Sequence, residues 1–287
     1  MTSRQVFVSS SCVNNTKIGE SVLTLAKAGY KNIELSGGTN LYDHWKKDLL
    51  KLKKDFELNY RCHNYFPPPT EHFVLNLSAS NEEIRKRSIA HVKEAITLSR
   101  QLSATEYGIH AGFRFMPEHK RLGKKFDSVP LQSEDIAIEL FASAWEELYS
   151  YAYDEGIKLY VENNVFSKAN SVSFDCENPF LATDSKSIKK LSQVCQLNLL
   201  LDIAHLKVSC NTLGISFEEE FSILIPQSDY LHFSDNNGIA DTNNGLHKDS
   251  DMFEMLRRHD LRGKTITLEV YDGTLEESRT SVSLLKI

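Results

Sequence analysis

A chain of 287 residues, 41% hydrophobic and 25% charged, holds enough apolar material for a large core and lies outside the composition of disordered chains. Its formal net charge of -6 supplies no global positive field, which argues against nucleic acid as the partner. Five scattered cysteines without a C-x-x-C exclude a disulfide framework and a zinc knuckle, and no window approaches the ~18 to 20 apolar residues of a membrane helix, so a reduced, cytoplasmic protein without a membrane partner is expected.

Short apolar runs then alternate with amphipathic stretches along the chain, the pattern of repeated strand–helix units. Val6 to Ser10 reads as a first strand, and Ile18, Val22, Leu25 and Ala26 recur at helical spacing until Gly29 stops the helix. Asn32 to Leu35 gives a second strand and Leu41 to Leu52 a second helix. Leu58 to Asn64 is a third strand, after which Pro67, Pro68 and Pro69 bar an immediate helix. Ser80 and Glu83 form an S-x-x-E capping box for a helix that carries Ile84, Ile89, Val92 and Ile96 on one stripe. Glu106 to His110 follows as a strand, Ser133 to Tyr153 as a helix and Lys158 to Glu162 as a fifth strand; Asp184 can cap the next helix. Leu197 to Asp202, Tyr230 to Ser234 and Thr265 to Val270 complete eight strands, each preceded by a helical stretch. That count predicts a single-domain α/β chain over residues 1–287, a (β/α)8 TIM barrel, and no early glycine fingerprint favours a doubly wound sheet.

In such a barrel the C-terminal strand ends build the site, so polar residues that close apolar runs are informative. Here they are His63, His110, Glu162, Asp202, His232 and Glu269, with His205 three residues after Asp202. Taken singly, His63 or His110 reads equally as a hydrogen-bonded core residue. A glutamate closing Leu159, Tyr160 and Val161, or Ile266, Thr267 and Leu268, is costly to bury without a partner. As a group, Glu162, Asp202, His232 and Glu269 read as ligands for one divalent cation, Mn2+, Mg2+, Co2+ or Zn2+, against structural ion pairs as the alternative. The segment from Phe113 to Gln132 carries Arg114, Lys120, Arg121, Lys124 and Lys125, which suit either an anion clamp or a solvated loop, and Lys207 is a further candidate substrate contact.

At these residues the sequence resembles the xylose isomerase-like barrel superfamily, which holds sugar and sugar-phosphate isomerases and epimerases together with barrel-type apurinic endonucleases. The pieces that carry the resemblance are VENNV (161–165), LLDIAHLKVS (200–209), LHFSDNNG (231–238) and TLEVYDG (267–273), supported by NLSASNEEIRKRS (76–88) and GIHAG (108–112). The resemblance implies one ion, Mn2+ first, on Glu162, Asp202, His232 and Glu269, and a substrate-binding role for His205. It implies for His63 and His110 either substrate contacts or ligands of a second metal, as in the nuclease branch. That branch also needs an aspartate and a histidine two apart after strand seven, where this chain has Asp241 and Asn243. Epimerases of free ketoses often carry an arginine where this chain has Gly238.

The activity expected on these grounds is a metal-dependent sugar or sugar-phosphate isomerase or epimerase, an enediolate forming on the substrate while Glu162 and Glu269 act as base and acid. The alternatives are a zinc-dependent phosphodiesterase of the apurinic endonuclease kind and a non-catalytic sugar-binding barrel. The partner is a small sugar or sugar phosphate, and the sequence leaves a homo-oligomer open.

Overall fold

The structure, a computed structural model, describes residues 5–271 and 273–286. Eight parallel strands close into a barrel in chain order: β1 (Val6–Ser9), β2 (Asn32–Leu35), β3 (Asn59–His63), β4 (Glu106–His110), β5 (Lys158–Glu162), β6 (Leu199–Asp202), β7 (Ser228–Phe233) and β8 (Thr265–Leu268), with β8 returning to β1. The helices are α1 (Ile18–Lys27), α2 (Trp45–Phe56), α3 (Glu82–Gln101), α4 (Glu134–Asp154), α5 (Lys168–Ser173), α6 (Ser185–Ser192), α7 (Ile203–Leu213), α8 (Phe217–Leu224), α9 (Asp251–Arg257) and α10 (Leu275–Leu285). The barrel is therefore the expected one, with ten α-helices among the described residues rather than eight. The extra ones arise because the segments after β5 and β6 each break into two helices, α7 stopping at Gly214 with φ +69°.

Four strands, β1, β3, β6 and β8, are one or two residues shorter than the apolar runs suggested, and β7 begins two residues earlier, at Ser228. Two helix starts differ for local reasons. The second helix begins at Trp45 rather than Leu41 because His44 takes a left-handed conformation, φ 68°, that no helix continues through. The third is capped by Asn81, whose side chain accepts from the backbone N–H of Glu83 and Ile84. Ser80 donates to Gln132 instead. Asp184 does cap α6, in a capping box with Ser187.

The main core lies between barrel and helices, where Val22, Leu25, Ile33, Val92, Ile96, Phe141, Trp145, Leu201 and Leu231 are fully buried. Each such side chain contributes about 1.5 to 3 kcal/mol relative to exposure. Inside the barrel Tyr160, Leu200 and Tyr230 pack together, and the Arg61 guanidinium lies between the rings of Phe7 and Tyr230 and pairs with Glu106. The barrel floor is thus filled, and open space is left at the C-terminal strand ends. A second apolar cluster, Phe113, Phe115, Phe126, Phe166, Phe174 and Phe180, fastens the long segment after β4 over one side of that mouth. Among the described residues, no helix is long and apolar enough to cross a membrane.

Candidate metal and sugar site

Strand register places the polar residues side by side. His110 pairs with Glu162 across β4 and β5, and Asp202 pairs with His232 across β6 and β7. Glu269 lies one residue past β8, yet its N–H still bonds the Phe233 carbonyl, so it is held as firmly as a strand residue. Ligand atoms of Glu162, Asp202, His232 and Glu269 all lie within 4.8 Å of one another. The four residues read from the sequence as one set are therefore one cluster.

Asparagines fix the geometry between strands. Asn163 mimics a ladder pairing with β6: its Oδ1 accepts from the Asp202 N–H at 2.7 Å, and its Nδ2 donates to the Asp202 carbonyl at 2.9 Å. Asn164 donates to the carbonyls of Ala111 and Leu181, tying the ends of β4 and β5 to the loop before α6. These amides replace the backbone partners that the chain loses where it leaves the sheet. Asp202 in turn caps α7, its Oδ1 accepting from the His205 N–H at 2.7 Å.

His63 and His110 face the same cluster. His63 Nε2 lies 2.8 Å from Glu162 Oε2, and His110 Nδ1 lies 3.2 Å from the same oxygen. His205 donates from Nδ1 to the Asn163 carbonyl at 2.9 Å and directs Nε2 to Asp241 Oδ2 at 3.2 Å. All three line a cavity of about 520 Å³ with Glu162, Glu269 and Tyr271. The cavity is walled on its outer side by Tyr65, Pro68, His72, Phe73 and His119. Tyr271 donates to Glu269 Oε1 at 2.9 Å.

One expectation from the sequence is corrected, and of two readings left open for the segment after β4 the solvated loop is the one that fits. Lys207 does not line this cavity: its ammonium bonds Asp235 Oδ1 at 2.8 Å and the Asn236 carbonyl, facing a separate hollow on the helical ring. Two residues along a helix from His205 is roughly 200° around its axis, which turns the lysine away. Nor does the segment after β4 present a cationic clamp. Arg114 is buried and spent on the Gln132 and Asn178 carbonyls and Glu177, Arg121 pairs with Asp127, and Lys120, Lys124 and Lys125 are exposed. From that segment His119 and Leu122 reach the cavity.

Glu34 is the site residue the sequence did not single out. It is fully buried in β2 and lies beneath the cluster, its Oε1 3.0 Å from His232 Nε2. Its other oxygen accepts from Thr267 at 2.9 Å and from the Tyr230 hydroxyl. The available signal was a glutamate between Ile33 and Leu35 in an otherwise apolar strand.

Burial and neighbouring charges set the ionisation of the cluster in opposite directions. Burial opposes ionisation of Glu162, yet the neighbouring His110, His63 and His232 hold its carboxyl well below the ordinary range. Burial likewise opposes ionisation of Glu269, and His232 brings its carboxyl down to about 2. Asp202 goes the other way: burial, with the charges of Glu162 and Asp241 nearby, pushes it up to about 7. His110 is pushed down to about 4 by burial. His232 is held well above its ordinary value, burial being outweighed by Glu34 and Glu162.

A divalent cation fits this arrangement. Glu162 Oε1 and His232 Nδ1 are buried without a hydrogen-bond partner and stand 3.2 Å apart, with Glu269 Oε2 3.1 Å from the same nitrogen. Unpartnered buried ligand atoms converging from three strands are what a cation satisfies, with loss of the His232 proton on binding. A carboxylate-rich set with one imidazole suits Mn2+, Mg2+ or Co2+ as well as Zn2+.

No curated protein matches the sequence. Solved structures match over nearly the whole chain at low identity. A D-tagatose 3-epimerase-like protein is 19% identical with a TM-score of 0.72, over 98% of this chain and 96% of that one. D-allulose 3-epimerase from Methylomonas sp., in complex with D-allulose, is 14% identical with a TM-score of 0.65, over 99% and 91%. Endonuclease IV from Thermus thermophilus is 14% identical with a TM-score of 0.60, over 98% and 98%. At these identities the likeness is one of fold. The family model described as xylose isomerase-like TIM barrel matches residues 22–286, and the chain belongs to that family.

Proposed function

We propose that the protein is a divalent-metal-dependent sugar isomerase or epimerase, with Glu162, Asp202, His232 and Glu269 as ligands and Mn2+ as the first choice of ion. The observation that carries this reading is the convergence of those four side chains, within 4.8 Å, at a cavity of about 520 Å³. The ion supplies Lewis-acid polarisation of neighbouring oxygens on a bound hydroxy-carbonyl sugar. Glu162 from β5 and Glu269 from the end of β8 come from strands three apart around the barrel, so they approach a central substrate from different sides. Neighbouring histidines keep both ionised, and each can accept a proton from the substrate carbon on its side. Return of the proton to the same face, the opposite face or the adjacent carbon gives exchange, epimerisation or isomerisation. His63, His110 and His205 line the cavity and supply hydrogen bonds to sugar hydroxyls.

Among the described residues, no lysine or arginine lines the cavity. A phosphate on the substrate calls for a positive partner. The hydroxyls, amides and imidazoles present instead support a neutral sugar over a sugar phosphate. D-Allulose bound to one structural neighbour is in keeping with this class. Cys12, Cys62 and Cys210 are buried and free, which supports a reducing, cytoplasmic setting.

A second reading, a zinc phosphodiesterase of the endonuclease IV kind, is favoured by the position of His63 and His110 beside Glu162. Against it stands Asn243, whose amide is committed on both sides: Oδ1 accepts from Ser234 at 3.0 Å and Nδ2 donates to Asp241 at 3.1 Å. Asp241 with His205 thus has no second imidazole. The test is incubation of Mn2+-loaded protein in D2O with ketoses, aldoses and their phosphates, followed by mass spectrometry. Metal-dependent deuterium incorporation into a neutral sugar is expected. Cleavage of abasic-site DNA with no exchange into any sugar overturns the proposal.

A further inference from the structure

Glu34 touches no space that a substrate can reach, since it is fully buried below the cluster and does not line the cavity. A buried carboxylate with no lysine or arginine at its oxygens has a desolvation cost that its neighbours must offset. Its two hydrogen-bonded partners are donors to Oε2, while Oε1 makes no hydrogen bond of its own. Thr267 donates to Oε2 at 2.9 Å, the Tyr230 hydroxyl donates to Oε2, and His232 Nε2 lies 3.0 Å from Oε1. His232 Nε2 is also 3.3 Å from the Tyr230 oxygen. Tyr230 has a single proton, and Glu34 takes it, so towards His232 the phenol oxygen can only accept. Both neighbours of Nε2 are therefore acceptors, and Nε2 must carry a proton. With Nε2 protonated, the only ring nitrogen that can offer a lone pair to an ion is Nδ1, which stands 3.2 Å from Glu162 and 3.1 Å from Glu269, inside the ligand cluster.

We infer that Glu34, together with Tyr230, is a positioning residue for the metal centre: it fixes the tautomer and ring orientation of His232 so that Nδ1 is the ligating atom. The inference rests on the metal reading above. The order of the chain makes the device compact. His232 and Tyr230 are two apart on β7 and so point to the same side of the strand, into the barrel. Thr267 on β8 pairs with His232 in register, and Glu34 crosses from β2 to meet all three. A carboxylate behind a ligating imidazole also raises its basicity, and loss of such a partner lowers metal affinity by about 10- to 100-fold.

The test is the affinity of the folded protein for Mn2+, read by competition with a chromogenic chelator, in wild type, Glu34→Gln and Tyr230→Phe. Circular dichroism establishes that each variant is folded. Glu34→Gln is expected to bind Mn2+ about 10- to 100-fold more weakly. Tyr230→Phe keeps the carboxylate and loses one hydrogen bond, for a loss of about 5-fold. If Glu34→Gln does not fold, Tyr230→Phe still decides the matter. Nitrogen-15 spectra of the Zn2+-loaded wild type are expected to show a protonated Nε2 and an unprotonated Nδ1 on His232. A purely structural role would lower the melting temperature and leave Mn2+ affinity within about 2-fold. That result, or a His232 protonated on Nδ1 in the Zn2+-loaded protein, overturns the role of Glu34. A wild type that binds no divalent ion overturns the metal reading itself.

Discussion

His63 Nε2 and Glu162 Oε2, contributed by β3 and β5 and separated by 99 positions in the chain, meet at 2.8 Å inside the barrel mouth. The contact depends on β4, which lies between those strands and carries Gly108 opposite His63 in register. A β-carbon at position 108 would stand 2.6 Å from Leu200 Cδ1 and 3.2 Å from His63 Cδ2. Gly108→Ala is therefore expected to displace Leu200, to shift His63 against Glu162 by a few tenths of an ångström and to cost about 1 to 3 kcal/mol of stability through overpacking. Denaturant unfolding and a crystal structure of the variant check this. An unshifted His63 with unchanged stability contradicts it.

Removal of the ion should destabilise the fold, because an ion that binds only the native state stabilises it by mass action. At a free Mn2+ concentration 100-fold above the dissociation constant the expected gain is about 2.7 kcal/mol. Thermal melts with Mn2+ and with a chelator read it directly, and Asp202→Asn is expected to abolish most of the difference. Equal melting temperatures with and without Mn2+ would show that the cluster holds no ion.

The two glutamates should separate metal binding from proton transfer. Glu162→Gln and Glu269→Gln are each expected to lower turnover on an established sugar by about 10²-fold or more, with metal occupancy measured in the same samples. Variants that keep full occupancy and near-normal turnover would reduce both residues to holding the ion.

How far the sequence reached is visible in these same residues. Glu162, Asp202, His232 and Glu269 were legible because each closes an apolar run, and in a closed parallel barrel those ends converge. Glu34 gave no such signal: it lies within its strand, and its partners on β7 and β8 are about 200 positions away. Lys207 was misplaced because adjacency to His205 in sequence is not adjacency on a helix. The start of α2 was hidden by a left-handed His44, since local backbone choices of that kind leave little trace in hydrophobic spacing. Asn163 and Asn164 stood inside a recognised motif, but their use as substitutes for ladder hydrogen bonds became readable with the strand ends in place.

Away from the site, His91 on α3 should set part of the acid limit of stability. Its ring packs edge-on against Phe73, and burial, with Arg87 nearby, pushes it down to about 4. The folded value is depressed below the unfolded one, so the contribution is complete above pH about 6.5 and is lost as pH falls towards 4. The loss is on the order of 1 to 3 kcal/mol. His91→Leu is expected to flatten that stretch of the stability profile in urea unfolding from pH 7 to 4.5. A variant with the wild-type slope would contradict the assignment.

The central claim, one divalent ion held by four residues from β5, β6, β7 and the end of β8, is tested most directly by elemental analysis. Protein dialysed after loading with Mn2+, Co2+ or Zn2+ is measured alongside Asp202→Asn and Glu269→Gln. The account predicts close to one tightly held ion per chain in the wild type and well under half that in each variant. Three zinc ions per chain, or a metal content that neither substitution changes, would contradict it.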